Sequence, residues 1–525
     1  MDAPVLIVGA GPVGLALAAE LARHGVRARI IDKLPAPSPY CRAIGVTPRS
    51  LELFEDMGVA REMIDAGLWI EGMRMLLPGQ PPRDLRRDLS DLPYAALGVP
   101  QNETERVLTA HLAQFGVTPE RGVTLLDLAE SESGLKVVLE GPDGRETVFP
   151  RFVVGCDGAH SAVRKAVGIA FEGEAWPYDF MLGDVSIAWD VPRGLAVFAV
   201  HPMDDAPPDL FVAVPLPERG RYRVSAMAPA HLASPAGGGT GHGIQEDRAG
   251  AGLADLQAVA DRLLPEPAPL SDMRWSSIFR ISMRLAARYR AGAVFIAGDA
   301  CHIHPPTGGQ GMNTGVQDAY NLAWKLALVV KGAAEPGLLD SYEAERRPIA
   351  EAVIARTTEE SLNFGKRGAG DRLADTQIRV TYRGGPLSPA AEGALCAGDR
   401  VPDVQGLRRH GLGFDVRLFD VLKGTGFVLL VPVRETTAAV EALAGDLHRR
   451  WPHQIRVVAV VSDGAPEDEP PGVEVLIDTT GAFGKAFGDA QAWLVRPDNY
   501  LGWSGPAADA ATSVPHYLRE AIGLI

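Results

Sequence analysis

The chain has 525 residues, of which 46 % are hydrophobic and 22 % are charged, the usual mix of a globular protein that can bury large cores. Asp and Glu number 66 against 51 Lys and Arg, so the net charge of −15 argues against a general nucleic-acid binder, which needs a basic face. The 58 Gly and 41 Pro show no three-residue period, which excludes a collagen-like chain.

The cysteines give no sign of a disulfide framework or a zinc site. Cys41, Cys156, Cys301 and Cys396 are far apart and form no CxxC motif. No apolar run reaches the ~18 residues that a membrane span requires. Asp2 stands where a signal peptide would carry basic residues, so no signal peptide is predicted. These features predict a cytoplasmic protein without a membrane or nucleic-acid partner.

The first 32 residues predict a β–α–β unit. A β-branched strand over residues 4–8 leads into Gly9-Ala10-Gly11-Pro12-Val13-Gly14, then into a helix over residues 15–24 that ends at Gly25. A second strand over residues 26–31 ends at Asp32. In this context GxGxxG indicates a dinucleotide site: the glycines allow a tight turn and close approach of a pyrophosphate, and the acid accepts hydrogen bonds from a ribose. A glycine turn without a ligand is the weaker alternative.

Two further buried-strand patterns end in an acidic residue beside a glycine. Residues 152–156 lead into Asp157-Gly158, and residues 293–297 lead into Gly298-Asp299. Ligands of open α/β sheets bind at the carboxyl ends of the strands, so these carboxylates are candidate cofactor ligands. A strand followed by Asp-Gly is also ordinary turn chemistry, but three such strand ends in one chain favour a ligand.

A loop rich in proline and glycine, residues 301–313, separates Asp299 from a predicted helix over residues 315–331. The amino terminus of that helix, predicted at Gly315, carries partial positive charge and free N–H groups that can stabilise an anion such as a reduced isoalloxazine. His302 and His304 form an HxH pair without a third ligand nearby. Loop packing is therefore their expected role, and no metal site is predicted.

A β-rich segment interrupts the α/β pattern. Strands are predicted at residues 180–187, 196–200, 210–214 and 222–227, separated by Pro and Gly turns. His201 and Tyr222 in this segment are the candidate catalytic residues, although no certain base is identified. Beyond residue 396, strands at 427–432, 455–462, 473–478 and 492–496, with helices at 436–450 and near 515–522, predict a small α/β domain.

These segments together resemble the single-component FAD-dependent aromatic hydroxylases, the flavoprotein monooxygenases that include phenol hydroxylase and the aromatic-polyketide hydroxylases. The resemblance covers most of the chain. It is carried by an ordered set of motifs: Gly9–Gly14, Arg42-Ala43, Pro48-Arg49-Ser50-Leu51-Glu52, Pro100-Gln101, Asp157-Gly158, Gly298-Asp299, Pro305–Asn313 and Glu345-Arg346-Arg347-Pro348.

The resemblance implies an α/β fold with a Rossmann-like FAD-binding domain, an inserted β-rich substrate domain and a C-terminal thioredoxin-like domain. The FAD-binding domain would occupy residues 1–177 and, with connecting helices, 284–390. The substrate domain would occupy residues 178–283, and the thioredoxin-like domain, which lacks CxxC, residues 396–525.

The resemblance also implies which residues contact FAD. Its pyrophosphate would lie on the fingerprint residues Gly9, Gly11, Pro12, Val13 and Gly14. Asp32 would bind the adenosine ribose with Lys33 beside it, and Arg42 and Gln101 would contact the middle of the cofactor. Asp157 would serve both FAD and the transient NADPH or NADH, and Asp299 would bind the ribityl chain. Pro305 would approach the flavin ring, with Gly311, Met312 and Asn313 on its pyrimidine side.

The implied reaction is NAD(P)H- and O2-dependent hydroxylation of a small phenolic or polycyclic, polyketide-like aromatic through a flavin C4a-hydroperoxide, by a monomer or homodimer. Ile44 stands where phenol hydroxylases tend to carry a catalytic carboxylate, which favours the polyketide-hydroxylase branch. Two alternatives remain open. One is Baeyer–Villiger oxygenation or epoxidation on the same fold, and the other is an FAD-binding dehydrogenase without oxygen transfer.

Overall fold

The computed structural model describes residues 3–38, 43–131, 134–203, 208–233, 243–244, 250–362, 371–389, 392–433, 438–462 and 470–525. The chain folds as two compact units. The first comprises Met1–Ala19, Arg27–Ala319 and Arg347–Gln377, and the second comprises Glu20–Val26, Tyr320–Arg346 and Ile378–Ile525. Residues 320–346 thus belong with the C-terminal residues, whereas the borders expected from the sequence at residues 178, 284 and 396 stay predictions.

The described residues form twelve α-helices: α1 (Pro12–Arg23), α2 (Pro48–Met57), α3 (Ala60–Asp65), α4 (Gln101–Ala113), α5 (Ala162–Ala166), α6 (Leu253–Leu263), α7 (Gln310–Val330), α8 (Asp340–Leu362), α9 (Leu418–Leu422), α10 (Ala438–Arg450), α11 (Ala482–Phe487) and α12 (Ala510–Glu520). Short 3-10 turns occupy Gly298–Ala300, Thr307–Gly309, Pro336–Leu339 and Ala507–Asp509.

The strands up to residue 155 are β1 (Val5–Val8), β2 (Ala28–Asp32), β3 (Gly45–Val46), β4 (Leu68–Ile70), β5 (Gly72–Leu76), β6 (Arg83–Arg86), β7 (Ala96–Gly98), β8 (Glu120–Arg121), β9 (Thr124–Ser131), β10 (Gly134–Gly141), β11 (Gly144–Val148) and β12 (Phe152–Gly155). The middle of the chain adds β13 (Phe171–Ile187), β14 (Leu195–His201), β15 (Asp209–Pro215), β16 (Arg221–Met227), β17 (Gly243–Ile244), β18 (Leu270–Ala286), β19 (Arg290–Ala291), β20 (Val294–Ile296) and β21 (His302–Ile303). The second unit holds β22 (Leu407–Arg409), β23 (Phe427–Val433), β24 (Ile455–Val461), β25 (Val473–Asp478), β26 (Gln491–Val495) and β27 (Leu501–Pro506).

A six-stranded sheet forms the centre of the first unit, in the order β19-β20-β12-β1-β2-β8. Strands β1, β2, β12 and β20 run parallel, so the carboxyl ends of β1, β2, β12 and β20 lie at the same edge. All side chains of β1 and β12 are buried, as expected of parallel strands that are covered on both faces. This edge therefore carries the fingerprint turn, Asp32, Asp157 and Asp299, as the strand pattern predicted.

A nine-stranded sheet contains the four predicted strands of the β-rich segment, in the order β17-β18-β13-β16-β15-β14-β5-β6 with β21 beside β18. Strands β13 and β18 are 17 residues each and pair along most of their length. Each runs without a break across a predicted border, at residue 178 or residue 284. The sequence pattern detected only the part of β13 beyond residue 180, because its first half lacks apolar alternation.

The two faces of this sheet have different neighbours. Met181, Phe211, Tyr222 and Val224 point to the face that packs against α6, here called the helix face. The alternate residues, among them Phe180, Leu182, Val212, Ser225 and Ser277, point to the opposite face, here called the loop face. The loop face meets Ile44 near one end and Ile354 of α8 near the other.

The second unit contains a six-stranded sheet in the order β22-β25-β24-β23-β26-β27. Strands β23, β24 and β25 are parallel, whereas β26 runs antiparallel to β23 and β27 antiparallel to β26. The four predicted strands and the two predicted helices are confirmed, and β22, β27, α9 and α11 were not predicted. The thioredoxin-like assignment stays a prediction.

A fully buried ion network lies inside the second unit. Arg496 donates to Glu345 Oε1 at 2.6 Å and to Asp498 Oδ2 at 2.6 Å, and Lys325 Nζ donates to Glu345 Oε2 at 2.7 Å. All four side chains are at most 2 % exposed. Burial opposes ionisation of Glu345, but the Arg496 and Lys325 charges outweigh it and lower the pKa of Glu345 to about 2. The network therefore keeps its charges paired.

Candidate functional site

The fingerprint turn between β1 and α1 leaves no room for a side chain at Gly9 or Gly14. A Cβ on Gly9, whose φ is +105°, would lie 2.3 Å from the carbonyl oxygen of Cys156, and a Cβ on Gly14 would lie 1.9 Å from that of Gly9. A Cβ on Gly11 would meet no atom within 4 Å. The turn therefore presents open backbone at Gly11, next to the amino terminus of α1, and this shape fits a pyrophosphate.

Asp32 at the end of β2 is joined to the fingerprint turn. Its Oδ2 atom accepts the backbone N–H of Ala10 at 2.8 Å, and its Oδ1 atom accepts that of Leu34 at 2.8 Å. Arg121 of β8 lies 3.4 Å from Asp32 Oδ2, a neighbour that the sequence did not reveal because it is 89 positions away. Carboxylate oxygens have two lone pairs each, so Asp32 can still accept a ribose hydroxyl. Lys33 beside it is exposed.

Gln101, at the start of α4, binds the segment that carries Ala43. Its Oε1 atom accepts the backbone N–H of Ala43 at 3.1 Å, and its Nε2 atom donates to Glu105 Oε1 at 2.9 Å. Arg42, which was predicted to act with Gln101, lies outside the described residues. Gln101 therefore positions the loop that leads to Ile44.

Asp157 lies at the carboxyl end of β12, beside the start of α5. Its Oδ2 atom accepts the N–H groups of Ala162 at 2.6 Å and Val163 at 3.2 Å, whereas its buried Oδ1 atom has no hydrogen-bond partner among the described residues. Burial raises the pKa of Asp157 above its usual range, and the Ser161 side chain and these backbone bonds act in the opposite direction. Such an acceptor atom fits a site that is completed by a hydroxyl-bearing cofactor.

Asp299 occupies the 3-10 turn after β20 and is exposed. Gly298 before it has a φ of +64°, and a Cβ there would lie 2.8 Å from Val13 Cγ2. A Cβ on Gly315 would lie 2.7 Å from the same Val13 atom and 2.9 Å from Gly298 Cα. The fingerprint turn, the Gly298-Asp299 turn and α7 therefore converge, as the sequence predicted for a single cofactor site.

Helix α7 begins at Gln310, five residues earlier than predicted. Gly308 and Gly309 have φ values of +70° and +64°, so these two residues reverse the chain and the helix starts directly after them. Gly311 and Met312 consequently lie in the first turn, where N–H groups have no partner within the helix. The helix terminus predicted at Gly315 is thus corrected to Gln310, immediately beyond the buried Pro305 and the turn that follows it.

Asn313 is fully buried and binds two loops at once. Its Oδ1 atom accepts the N–H of Thr47 at 2.9 Å, and its Nδ2 atom donates to the carbonyls of Gly45 at 2.8 Å and Gly309 at 2.7 Å. Its side chain thus holds β3 against the start of α7. The sequence predicts Asn313 as a cofactor contact, which stays a prediction, but does not reveal that it joins these segments.

His302 and His304 are both bonded within the protein. His302 Nε2 lies 2.7 Å from Asp318 Oδ2, and His304 Nδ1 donates to the Pro305 carbonyl at 2.7 Å. Burial lowers the pKa of His304 to about 4, although its bond to Pro305 acts in the opposite direction. Across the part of the chain that the structure describes, no three His, Cys, Asp or Glu side chains are placed to share a metal ion.

The two candidate catalytic residues do not lie on the loop face. Tyr222 is in the core between the sheet and α6, with its ring 5.1 Å from that of Trp189. His201 follows Val197 and Ala199 at intervals of two, which places it on the same helix face. The structure therefore does not bring either side chain to the segment around Ile44 and Asn313.

The loop face is the side of the nine-stranded sheet that approaches the cofactor turns. Ile44 and Leu216 form a small buried cluster, and Val214 and Trp275 pack against it. Further along the face, a row of Ser277, Leu182, Ser225 and Val212 is followed by a cluster around Phe180 and Phe279. Several of these side chains are half-buried, and the row is apolar apart from the hydroxyls of Ser277 and Ser225, whereas Asp184 and Arg223 lie on the same face beside Trp275 and Val214. Such a surface suits a flat, mainly apolar ligand.

Comparisons with known proteins show which families the chain resembles. Residues 2–357 match the family model described as "FAD binding domain", and residues 395–524 match "Aromatic-ring hydroxylase, C-terminal". Pentachlorophenol 4-monooxygenase of Sphingobium chlorophenolicum is 36 % identical over 95 % of this chain and 93 % of its own length. The 12-dehydrotetracycline 5-monooxygenase/anhydrotetracycline 6-monooxygenase of Streptomyces rimosus is 32 % identical over 99 % of this chain and 98 % of its own length.

A solved structure shows the same architecture. Aklavinone-11 hydroxylase in a ternary complex with FAD and aklavinone is 27 % identical, with a TM-score of 0.80 over 99 % of each chain. No helix within the described ranges is both long and apolar enough to cross a membrane. The family models, the full-length relatives and the converging turns lead to one conclusion: the chain belongs to the family of FAD-dependent aromatic hydroxylases.

Proposed function

We propose that this protein is a monooxygenase that uses FAD, O2 and NADPH or NADH to hydroxylate a phenolic or polycyclic aromatic compound. One observation carries the proposal. The segment from Ile44 to Thr47 is bound by Asn313 of α7 on one side, and its Ile44 packs in the cluster on the loop face on the other. The predicted flavin turns and the apolar face therefore share one boundary, where an aromatic substrate can meet the flavin.

The chain's own residues hold and orient the cofactor in this proposal. The fingerprint residues would carry the pyrophosphate, with Asp32 at the adenosine ribose, Gln101 at the middle of the cofactor and Asp299 at the ribityl chain. Asp157 would serve both FAD and the transient NADPH or NADH. When bound, FAD supplies the electron transfer and oxygen activation, which no side chain can provide. The N–H groups of Gly311 and Met312 in the first turn of α7 would face the pyrimidine edge of the ring, where the helix terminus favours negative charge.

The loop face would position the substrate and exclude water. Ile44 is apolar and 4 % exposed, and it stands where phenol hydroxylases tend to have a carboxylate. The side chain at this position therefore cannot act as a base that deprotonates the substrate. The relatives named for anhydrotetracycline and aklavinone act on polycyclic compounds, as their names state. A polycyclic phenol whose own hydroxyl activates the ring is therefore the substrate class that we propose.

For the second unit we propose a thioredoxin-like fold without thiol chemistry. The parallel pair β23 and β24 with the antiparallel β26 and β27 supports this fold assignment. Cys396 is 2 % exposed, and no CxxC accompanies it, so a structural role is the expected one.

The test is substrate-stimulated turnover with product analysis. The purified holoenzyme would be mixed with NADPH or NADH and a panel of phenols, anthraquinones and tetracyclines, and oxidation of the reduced nicotinamide, O2 uptake and product mass would be followed. We expect a polycyclic phenol to accelerate oxidation and to gain one oxygen atom on an aromatic carbon. Oxygen insertion beside a carbonyl or across an alkene would instead favour the Baeyer–Villiger or epoxidase alternative. Acceleration without any oxygenated product would contradict the proposal.

A further inference from the structure

Asp318 and His302 form a pair behind the Gly298-Asp299 turn. His302 Nε2 and the backbone N–H of Gly298 both contact Asp318 Oδ2, at 2.7 Å and 3.2 Å. The side chains of Asp318 and His302 are fully buried. An ionised carboxylate can only accept, so His302 Nε2 carries the proton of this bond. One oxygen atom from α7 thus holds the residues on both sides of Asp299.

A second helix, α5, holds the end of the same turn at Ala300. Arg164 of α5 donates to the carbonyl of Ala300 at 3.0 Å and to that of Ala159 at 2.9 Å. Asp299 consequently lies between Gly298 and Ala300, each of which is bonded to a buried charged side chain. His302, three residues further on, is bonded to the same Asp318 as Gly298. The Asp299 side chain is exposed at the edge where the cofactor turns converge.

Burying a carboxylate is costly, so the geometry of its hydrogen bonds has to be specific to be favourable. A pair that only stabilised the fold could lie anywhere in the core. This one lies within hydrogen-bonding distance of the residue before Asp299, and His302 continues into β21, which pairs with β18. The location points to a role in orienting the Asp299 carboxylate.

We propose that Asp318 and His302 are positioning residues that set the orientation of Asp299 for its bond to the ribityl chain of FAD. The inference rests on the proposed role of Asp299. Neither residue needs to touch the cofactor, because both act through the backbone of the turn. Their contribution to FAD affinity is therefore made through Asp299.

A double-mutant cycle tests this dependence. Apo-protein would be prepared for the wild type, Asp299→Ala, Asp318→Asn and the double variant, and each would be titrated with FAD by fluorescence quenching. We expect Asp318→Asn alone to raise the Kd for FAD roughly tenfold, as loss of one charged hydrogen bond would. In the Asp299→Ala background the same substitution should change the Kd less than about twofold, because coupled residues are not additive.

Two further variants separate orientation from general stability. Gln at position 302 retains a donor, so His302→Gln should weaken FAD binding less than Asp318→Asn does. Asp179, a buried carboxylate bonded to Arg280 at 2.8 Å, provides the control, and Asp179→Asn should lower the Tm while leaving the Kd for FAD unchanged.

The inference would be overturned if the effects of Asp318→Asn and Asp299→Ala multiplied. It would also fail if Asp318→Asn lowered the Tm with no change in the Kd. If Asp299→Ala leaves the Kd for FAD unchanged, Asp299 does not bind FAD, and the inference fails because there is no contact to position. The hydroxylation assay described above decides the proposed function separately from all of these results.

Discussion

Asn313 Oδ1 accepts the backbone N–H of Thr47 at 2.9 Å, which joins the first turn of α7 to a loop 266 residues earlier in the chain. Thr47 also begins α2, because its side chain accepts the N–H of Ser50. One side chain therefore sets the distance between the amino terminus of α7 and the loop that contains Ile44. These are the two structures between which we propose that the flavin ring and the substrate meet.

Replacing Asn313 should accordingly loosen this junction. Asn313→Ala leaves the N–H of Thr47 and the carbonyls of Gly45 and Gly309 without the bonds that it made, and we expect the free energy of unfolding to fall by about 2–4 kcal/mol. FAD affinity should fall in parallel. Urea denaturation and FAD titration measure the two effects. Asn102→Ala, a half-buried asparagine of α4, is the matched control, and equal effects of both substitutions would contradict the assignment.

The purified protein should be yellow and contain one non-covalently bound FAD per chain. The turns at Gly9, Asp157 and Asp299 converge on the site that we propose for FAD, and the sequence has no recognisable His or Cys motif for a covalent flavin bond. Mild acid or heat should release the flavin into the supernatant, where its absorbance gives the stoichiometry. A colourless preparation that takes up no added FAD would refute the site.

Asp299→Ala should weaken FAD binding by ~10–100-fold with little loss of fold, because a carboxylate–hydroxyl bond is charge-assisted and the side chain is exposed. Titration of apo-protein with FAD gives the Kd, and thermal unfolding of the apo-protein gives the stability. Asp299→Asn, which keeps an acceptor, should lose less affinity. If the Kd stays at the wild-type value, Asp299 only closes a turn.

The stability of the second unit should depend on pH through Glu345. Its folded-state pKa is lowered to about 2 from 4.5, so the unfolded chain binds the proton first as the pH falls. The stabilisation is complete above pH 4.5 and is lost between pH 4.5 and about 2.

Glu345→Gln should lower the free energy of unfolding by about 3–5 kcal/mol at pH 7, because Arg496 and Lys325 stay buried with too little negative charge beside them. Urea denaturation from pH 7 to pH 3 should give a shallower acid limb for this variant. Glu351→Gln, at an exposed glutamate of the same helix, should behave as the wild type does.

Removing the chain from Cys396 onward should prevent stable folding. Every predicted cofactor motif lies before residue 396, but two buried residues of the ion network lie after it: Arg496, which pairs with Glu345, and Asp498, which accepts hydrogen bonds from Asn321 and Trp324. Residues 1–395 would therefore expose a cluster of charges and apolar side chains that is buried in the full chain. Soluble yield and thermal unfolding test this, and a soluble, stable fragment with a native flavin spectrum would contradict it. Full-length Cys396→Ser should turn over normally, because the thiol donates to the carbonyl of Gly393 at 3.5 Å and a serine hydroxyl can make the same bond.

The sequence by itself determined the features that depend on residues close together in the chain. The turn after β1, Asp32 at the end of β2 and the strands that lead to Asp157 and Asp299 are local patterns, because glycine at a close approach and an acid at a strand end leave few other conformations. The strands of the β-rich segment and of the second unit follow from alternating or continuous apolar runs in the same way. The family was likewise evident from the order of its motifs.

Only the tertiary structure decided which distant residues meet. Periodicity does not reveal which face of a sheet a helix covers. The sequence therefore offers Tyr222 and His201 as catalytic candidates, although both lie on the helix face. The start of α7 at Gln310 depends on the reversal at Gly308 and Gly309, which the pattern of apolar residues does not contain. The bonds from Asp318 to Gly298, from Arg121 to Asp32 and from Arg496 to Glu345 join residues 20, 89 and 151 positions apart. Such contacts form because the fold buries charged groups that must then find partners, and no local rule of sequence names the partner.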